Sequence, residues 1–219
     1  MKHAFFFDFD GTLVDSERLG KQAWDEVWYR LTSTHLTDEL RAFMTGKTHG
    51  QRAEYLCQAF QLALTPQDLR LQVVERFDAL VATQGLPLMP GAREALVRTR
   101  ADGHALALAS NSNRAYVDRM LALLDLQSFF DAIVTRDDVS HPKPAPDIYL
   151  DLLRRYPDHQ AIAVEDSLTG IASALEARLP VLGVIGGGSL DDVRGSTYTL
   201  PSLELFDPAA LISLLYPHV

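Results

Sequence analysis

The sequence predicts an α/β protein, a Rossmann-like parallel sheet core interrupted by an inserted α-helical cap, and three observations carry that prediction. Ala4 to Phe7 is an unbroken apolar run, which suits a strand buried on both faces of a parallel sheet. Residues 15 to 85 hold four helical patterns in succession with no strand pattern between them. After Pro90-Gly91 short apolar runs alternate with helical segments, the signature of a parallel sheet with right-handed crossovers.

The elements follow in order. Leu19, Ala23, Val27 and Leu31 recur at helical spacing with Trp24 and Trp28 alongside, so an amphipathic helix runs from Asp15 to about Leu31. A second helix starts at Thr37 as N-cap, with Asp38 and Glu39 in its first turn, and ends by Gly46. A third spans about 51–62. The fourth opens with Thr65 as N-cap, Pro66 at its first position and Asp68 three after the cap, and stops near Gly85. Residues 15–85 therefore form the cap, and 1–14 with 86–219 form the core. Its hinges are Val14 to Glu17 and the Gly- and Pro-rich Gly85 to Gly91. Beyond them come helix 92–101, strand 105–109, helix 113–124, strand 132–135, a polar loop 136–146, helix 147–156, strand 161–164, helix 168–177 and strand 181–185.

Composition narrows the function. At 219 residues the chain can bury a substantial core, and its formal net charge of -9 disfavours nucleic-acid or anionic-membrane surfaces, which bind through clustered Lys and Arg. No apolar stretch approaches the roughly 18 residues of a membrane span. The single cysteine, Cys57, sits among Tyr55, Leu56 and Phe60 in a helical pattern and reads as a packed thiol. With no intramolecular disulfide possible, a reducing cytoplasm is expected. Gly186-Gly187-Gly188 lacks the lysine and Ser/Thr of a P-loop and the G-x-G-x-x-G spacing, so it is not read as a nucleotide cradle.

The chemistry gathers where strands end. Asp8 and Asp10 share a face of the first strand unless it stops there and Gly11 turns the chain. Carboxyl ends of parallel strands are where open α/β sheets place ligands, and two carboxylates on one small turn call for a hard divalent cation. A polar strand end before a helix cap at Asp15 or Ser16 fits the same spacing. Ser110 ends its strand where a hydroxyl and helix-turn N–H groups can hold a phosphate oxygen, although a plain N-cap also accounts for it. Lys143 lies within Pro142-Lys143-Pro144-Ala145-Pro146, whose prolines pin an ammonium for a fixed anion. Glu165-Asp166 closes another apolar strand and projects from the same sheet edge as Asp8.

Asp8-Phe9-Asp10-Gly11-Thr12 resembles the first motif of the haloacid dehalogenase superfamily of phosphotransferases, and Ser110, Lys143 and Glu165-Asp166 resemble its second, third and fourth motifs in order. Ser140 to Asp147 and Glu165-Asp166-Ser167-x-x-Gly170 are similar to the branch typified by β-phosphoglucomutase and small sugar-phosphate phosphatases. The resemblance implies a Mg²⁺-dependent phosphatase acting on a small phosphorylated metabolite, a sugar or polyol phosphate, as a monomer. It implies Asp8 as nucleophile, Asp10 as acid/base, Ser110 and Lys143 as catalytic partners, and metal ligation by Asp8, Asp10 through its backbone carbonyl, and Asp166, with Glu165 in support. It further implies substrate binding by Thr12 and Asn111 and, in the cap, by Lys47 and His49.

Departures from the branch bear on the reaction. Gly20 stands where the mutase carries a histidine four residues before a tryptophan, here Trp24, and His49 stands where it carries a phosphate-gripping arginine. Both favour hydrolysis over hexose-phosphate mutation, which stays the alternative, ahead of a non-catalytic regulator. Arg178 replaces a helix-ending glycine.

Overall fold

The computed structural model describes residues 2–44 and 47–216. Strand β1, Lys2–Phe7, opens the chain, and Phe5, Phe6 and Phe7 are fully buried, as a two-sided strand requires. The chain then divides into two compact units, Met1–Asp15 with Pro87–Val219 and, between them, Ser16–Leu86. Asp15 is tied to the first unit because its N–H donates to the Pro87 carbonyl at 2.9 Å.

The inserted unit holds helices α1 (Ser16–Thr32), α2 (Asp38–Met44), α3 (His49–Ala59) and α4 (Pro66–Gln84). Leu19, Ala23, Trp24, Val27 and Trp28 of α1 are buried, as are Ala53, Leu56 and Cys57 of α3 and Leu69, Val73, Leu80 and Val81 of α4. Cys57 is the packed thiol expected, and burial pushes its pKa up. Leu31 departs from the expected apolar stripe and is exposed. Asp25 joins α1 to α2, accepting hydrogen bonds from the Leu36 N–H at 3.0 Å and Arg41 Nη2 at 2.6 Å. Thr65 and Asp68 form a reciprocal capping box with Pro66 at the first turn, and Gly85 ends α4 at φ 73°. Helix α3 starts two residues before the expected 51 and ends three before 62, because Thr48 and Gln51 form a capping box of their own. The expected limit of the second helix, Gly46, lies outside the described residues with Thr45.

The other unit continues with α5 (Ala92–Ala101), β2 (Ala105–Ser110), α6 (Arg114–Leu123), β3 (Ala132–Thr135), α7 (Asp147–Arg155), β4 (His159–Glu165), α8 (Leu168–Glu176), β5 (Val181–Val184), β6 (Tyr198–Leu200) and α9 (Pro208–Leu215). Its six strands lie in the order β3-β2-β1-β4-β5-β6, every neighbouring pair parallel. The loop expected at 136–146 holds a short 3-10 turn at Arg136–Asp138.

Small side chains let helices close on one sheet face: Ala4, Phe6, Ala107, Ala109, Ala161 and Ala163 pack with Ile148, Tyr149 and Leu152 of α7 and with Ile171 and Ala174 of α8. Phe5 and Phe7 point to the opposite face, where both meet Phe206 with ring centroids 5.5 Å apart. Phe206 belongs to a C-terminal stretch that the alternating pattern does not announce. There β6 extends the sheet edge and α9 is capped by Asp207, whose side chain accepts the Ala210 N–H, with Pro208 at its first turn.

Candidate active site

Because the strands are parallel, the carboxyl ends of β1, β2 and β4 open on one edge of the sheet, and Asp8, Ser110 and Glu165 occupy those three ends. Asp8 follows β1 directly, its N–H still bonded to the Val164 carbonyl at 2.9 Å. The chain then turns tightly, with Leu13 and Val14 donating to the Phe9 carbonyl, and Gly11 adopts φ +89°.

Lys143 sits at the centre. Its Nζ donates to Asp8 Oδ1 at 2.6 Å, Glu165 Oε1 at 2.5 Å and the Ala109 carbonyl at 2.8 Å, which uses all three ammonium protons. Its side chain is 2% exposed, so these bonds act in a dry environment. Asn111 fixes the lysine backbone from both ends: its Nδ2 donates to the Lys143 carbonyl and its Oδ1 accepts the Lys143 N–H, each at 2.9 Å. Tyr149 Oη donates to the same Glu165 oxygen at 2.6 Å. Burial alone pulls the Lys143 pKa down, but Asp8 and Glu165 outweigh it and the ammonium keeps its proton.

Asp8, Glu165 and Asp166 each present an oxygen within 4.8 Å of the others. One ammonium cannot offset three carboxylates. Burial first, and then Glu165, raises the Asp166 pKa to about 7, against a downward pull from Thr12 and Lys143. Burial likewise raises Asp8, opposed by Lys143 and reinforced by Glu165 and Asp166. An all-oxygen set whose members resist ionising side by side fits a hard divalent cation such as Mg²⁺.

The structure brings together most of the residues expected from sequence and refines several of them. Thr12 Oγ1 donates to Asp166 Oδ1 at 3.1 Å, so its side chain orients a carboxylate, as that of Asn111 orients Lys143. The Ser110 hydroxyl is buried and accepts the Ser112 N–H at 3.0 Å. The Asp10 side chain stands apart from the three clustered carboxylates, accepting hydrogen bonds from Ser112 Oγ at 2.6 Å and Tyr116 Oη at 2.9 Å. Lys47 and His49 belong to the helical unit, where the Lys47 ammonium lies 4.0 Å from the centroid of the Phe43 ring and the His49 ring 5.7 Å from that of Trp24. Sequence reasoning missed Ser112, Tyr116 and Tyr149. Each is an ordinary helix or turn residue by pattern, and only its long-range partner reveals it.

Comparison with known proteins shows the family and the fold. Residues 5–184 match the family model described as haloacid dehalogenase-like hydrolase. The Protein CbbY of Rhodobacter capsulatus is 31% identical over 92% of this chain and 93% of its own length. Hexitol phosphatase B of Escherichia coli K12 is 30% identical over 87% of each chain. Among solved structures, that of a putative beta-phosphoglucomutase from Thermotoga maritima superposes with a TM-score of 0.84 at 27% identity, covering 96% of this chain and 99% of that one. The motifs, the six-stranded parallel sheet, the carboxylates and lysine at its edge and the match over residues 5–184 agree: the chain belongs to the haloacid dehalogenase-like hydrolases.

Proposed function

We propose that this protein is a Mg²⁺-dependent phosphatase that hydrolyses a small phosphorylated metabolite, a sugar or polyol phosphate, through an aspartyl-phosphate. The observation that carries the reading is Asp8 at the end of β1, bonded to Lys143 and flanked by Glu165 and Asp166. A phosphatase name on a relative that shares 30% identity supports the substrate class. The chain's net charge of -9 supports a small-molecule substrate over nucleic acid. We take the enzyme to act as a monomer in the cytoplasm.

In this mechanism an Asp8 oxygen attacks phosphorus, the bond from phosphorus to the substrate oxygen breaks, and Asp10 gives a proton to the departing alcohol. Water then attacks the aspartyl-phosphate, Asp10 takes its proton, and inorganic phosphate leaves with Asp8 restored. Lys143 and Ser110 stabilise the charge that spreads over the phosphoryl oxygens. Asp8, Asp166 and the Asp10 carbonyl would hold Mg²⁺, with Glu165 fixed behind them by Lys143 and Tyr149. When bound, the ion would offset the repulsion between nucleophile and phosphate. The helical unit would act as the cap, with Lys47 and His49 reading the non-phosphate part of the substrate.

The structural likeness to a protein titled a putative beta-phosphoglucomutase keeps the mutase as a second reading. Gly20 and His49 speak for hydrolysis, because a mutase must keep its acid/base from activating water. A screen of phosphorylated metabolites for phosphate release tests the first reading. Hexose 1-phosphate with trace bisphosphate tests the second: hydrolysis gives free phosphate without bisphosphate, whereas bisphosphate-dependent conversion to the 6-phosphate with negligible phosphate release would establish the mutase.

A further inference from the structure

The Asp10 carboxylate is gripped at both oxygens, Oδ2 by the Ser112 hydroxyl at 2.6 Å and Oδ1 by the Tyr116 hydroxyl at 2.9 Å. The tyrosine is itself set from two directions. Its N–H is capped by Asn113 Oδ1 at 2.9 Å at the start of α6, and its ring stands edge-on to Phe9, the residue beside Asp10, with centroids 6.2 Å apart. Two turns far apart in sequence, the one after β1 and the one after β2, therefore converge on one half-buried carboxylate.

We propose that Tyr116 is the positioning residue for Asp10: its hydroxyl, with that of Ser112, fixes the carboxylate in the orientation from which it serves the departing oxygen. The proposal deepens the phosphatase reading and rests on the acid/base role given there to Asp10. An aspartate on a turn has rotamer freedom, and general acid catalysis needs its oxygen within about 2.6–3.2 Å of the leaving group, so a free carboxylate would spend much of its time out of reach. Each carboxyl oxygen offers more than one lone pair, so both hydroxyls can keep donating to it while a further position on the carboxyl carries the proton that goes to the departing oxygen.

The test compares kcat/KM, which covers only the steps up to departure of the leaving group, on β-glycerol phosphate and on p-nitrophenyl phosphate. The first leaves as an alkoxide that needs a proton, and the second as a stabilised phenolate that does not. Tyr116→Phe keeps the ring against Phe9 and removes one oxygen. We expect kcat/KM on β-glycerol phosphate to fall about 10-fold or more while p-nitrophenyl phosphate stays within about 2-fold, with Ser112→Ala acting in the same sense. Asp10→Ala, assayed alongside, should show the same selectivity with a larger loss. If Asp10→Ala is selective but Tyr116→Phe lowers both substrates equally, or neither, the positioning role is wrong and the phosphatase mechanism stands. If Asp10→Ala shows no selectivity, the acid/base assignment itself fails and takes this inference with it.

Discussion

Gly170 lies directly beneath the carboxylate of Glu165: a Cβ at position 170 would fall 2.0 Å from Glu165 Oε2 and 2.1 Å from Oε1. Gly11 stands in the same relation to Asp166, where a Cβ would come 2.1 Å from Oδ2, and its φ of +89° disfavours any side chain. Two motif glycines thus make room for two motif carboxylates. Gly170→Ala should displace Glu165 from Lys143, cut kcat about 10-fold or more and cost about 1–3 kcal/mol of stability. Gly187→Ala is the control, because nothing lies within 4 Å of a Cβ there. Normal activity and melting of Gly170→Ala would show that the Glu165 carboxylate can rest elsewhere.

Asp8→Asn tests the covalent mechanism. The amide is nearly isosteric but a poor nucleophile and a weak metal ligand, so turnover should drop about 1,000-fold or more with circular dichroism unchanged. EDTA should silence the wild type and Mg²⁺ restore it. Wild-type turnover by Asp8→Asn would remove the aspartyl-phosphate from the scheme.

The raised Asp166 pKa gives stability a definite pH slope. A carboxyl that titrates near about 7 when folded, against about 3.9 unfolded, binds more protons in the native state, so its contribution is present at low pH and lost as pH climbs through that window. Asp8 acts in the same direction. In EDTA the melting temperature should therefore fall between about pH 5.5 and about pH 8. A cation that takes the ionised carboxylates removes this penalty, so the Mg²⁺-induced rise in melting temperature should be larger at the higher pH. At roughly 100-fold excess over Kd, where binding adds about 2.7 kcal/mol, the rise is easily read by differential scanning fluorimetry. Equal Mg²⁺ shifts at both pH values would place the ion elsewhere.

What could be read from the chain tracks how local the determining physics is. The Phe5 to Phe7 run, the Thr65-Pro66-Asp68 helix start and the two aspartates at a strand end are signals within a few residues, and the structure shows each. The start of α3 was equally local, since Thr48 and Gln51 spell a capping box. Strand β6 was not: three residues at a sheet edge are too few for a period to emerge, and they form because Leu182 to Val184 offers a ladder. The same holds at the site. Asp8, Lys143 and Glu165 announce themselves by residue type and setting, whereas Tyr116 on Asp10, 106 positions away, and Tyr149 on Glu165 are products of folding.

The helical unit should carry substrate selectivity without carrying chemistry. Lys47→Ala and His49→Ala should raise KM for the best sugar or polyol phosphate about 10-fold while leaving kcat/KM on p-nitrophenyl phosphate within about 2-fold. A uniform loss of kcat on both substrates would move these residues into the reaction itself.

Arg178 offers a test of the fold that leaves the site alone. Helix α8 closes in a Schellman motif: the Arg178 N–H donates to the Leu175 carbonyl at 2.9 Å and the Leu179 N–H to the Ala174 carbonyl at 3.0 Å, with Leu179 and Ala174 both buried. That geometry puts Arg178 at φ 62°, in the left-handed region where a Cβ costs roughly 1–2 kcal/mol. The side chain is exposed, so packing returns little of that cost. Arg178→Gly should remove the strain and give back part of the gain through the greater freedom of glycine in the unfolded chain. The net expectation is a stabilisation of about 0.5–1 kcal/mol, seen as a higher urea midpoint at unchanged m-value. Arg178→Ala keeps a Cβ at the strained position and should give no such gain. Because α8 leads into the amino end of β5, this cap sits at the sheet edge opposite Asp8, and kcat should not change in either variant. A destabilised Arg178→Gly protein would mean that the arginine side chain makes interactions worth more than the backbone strain it imposes.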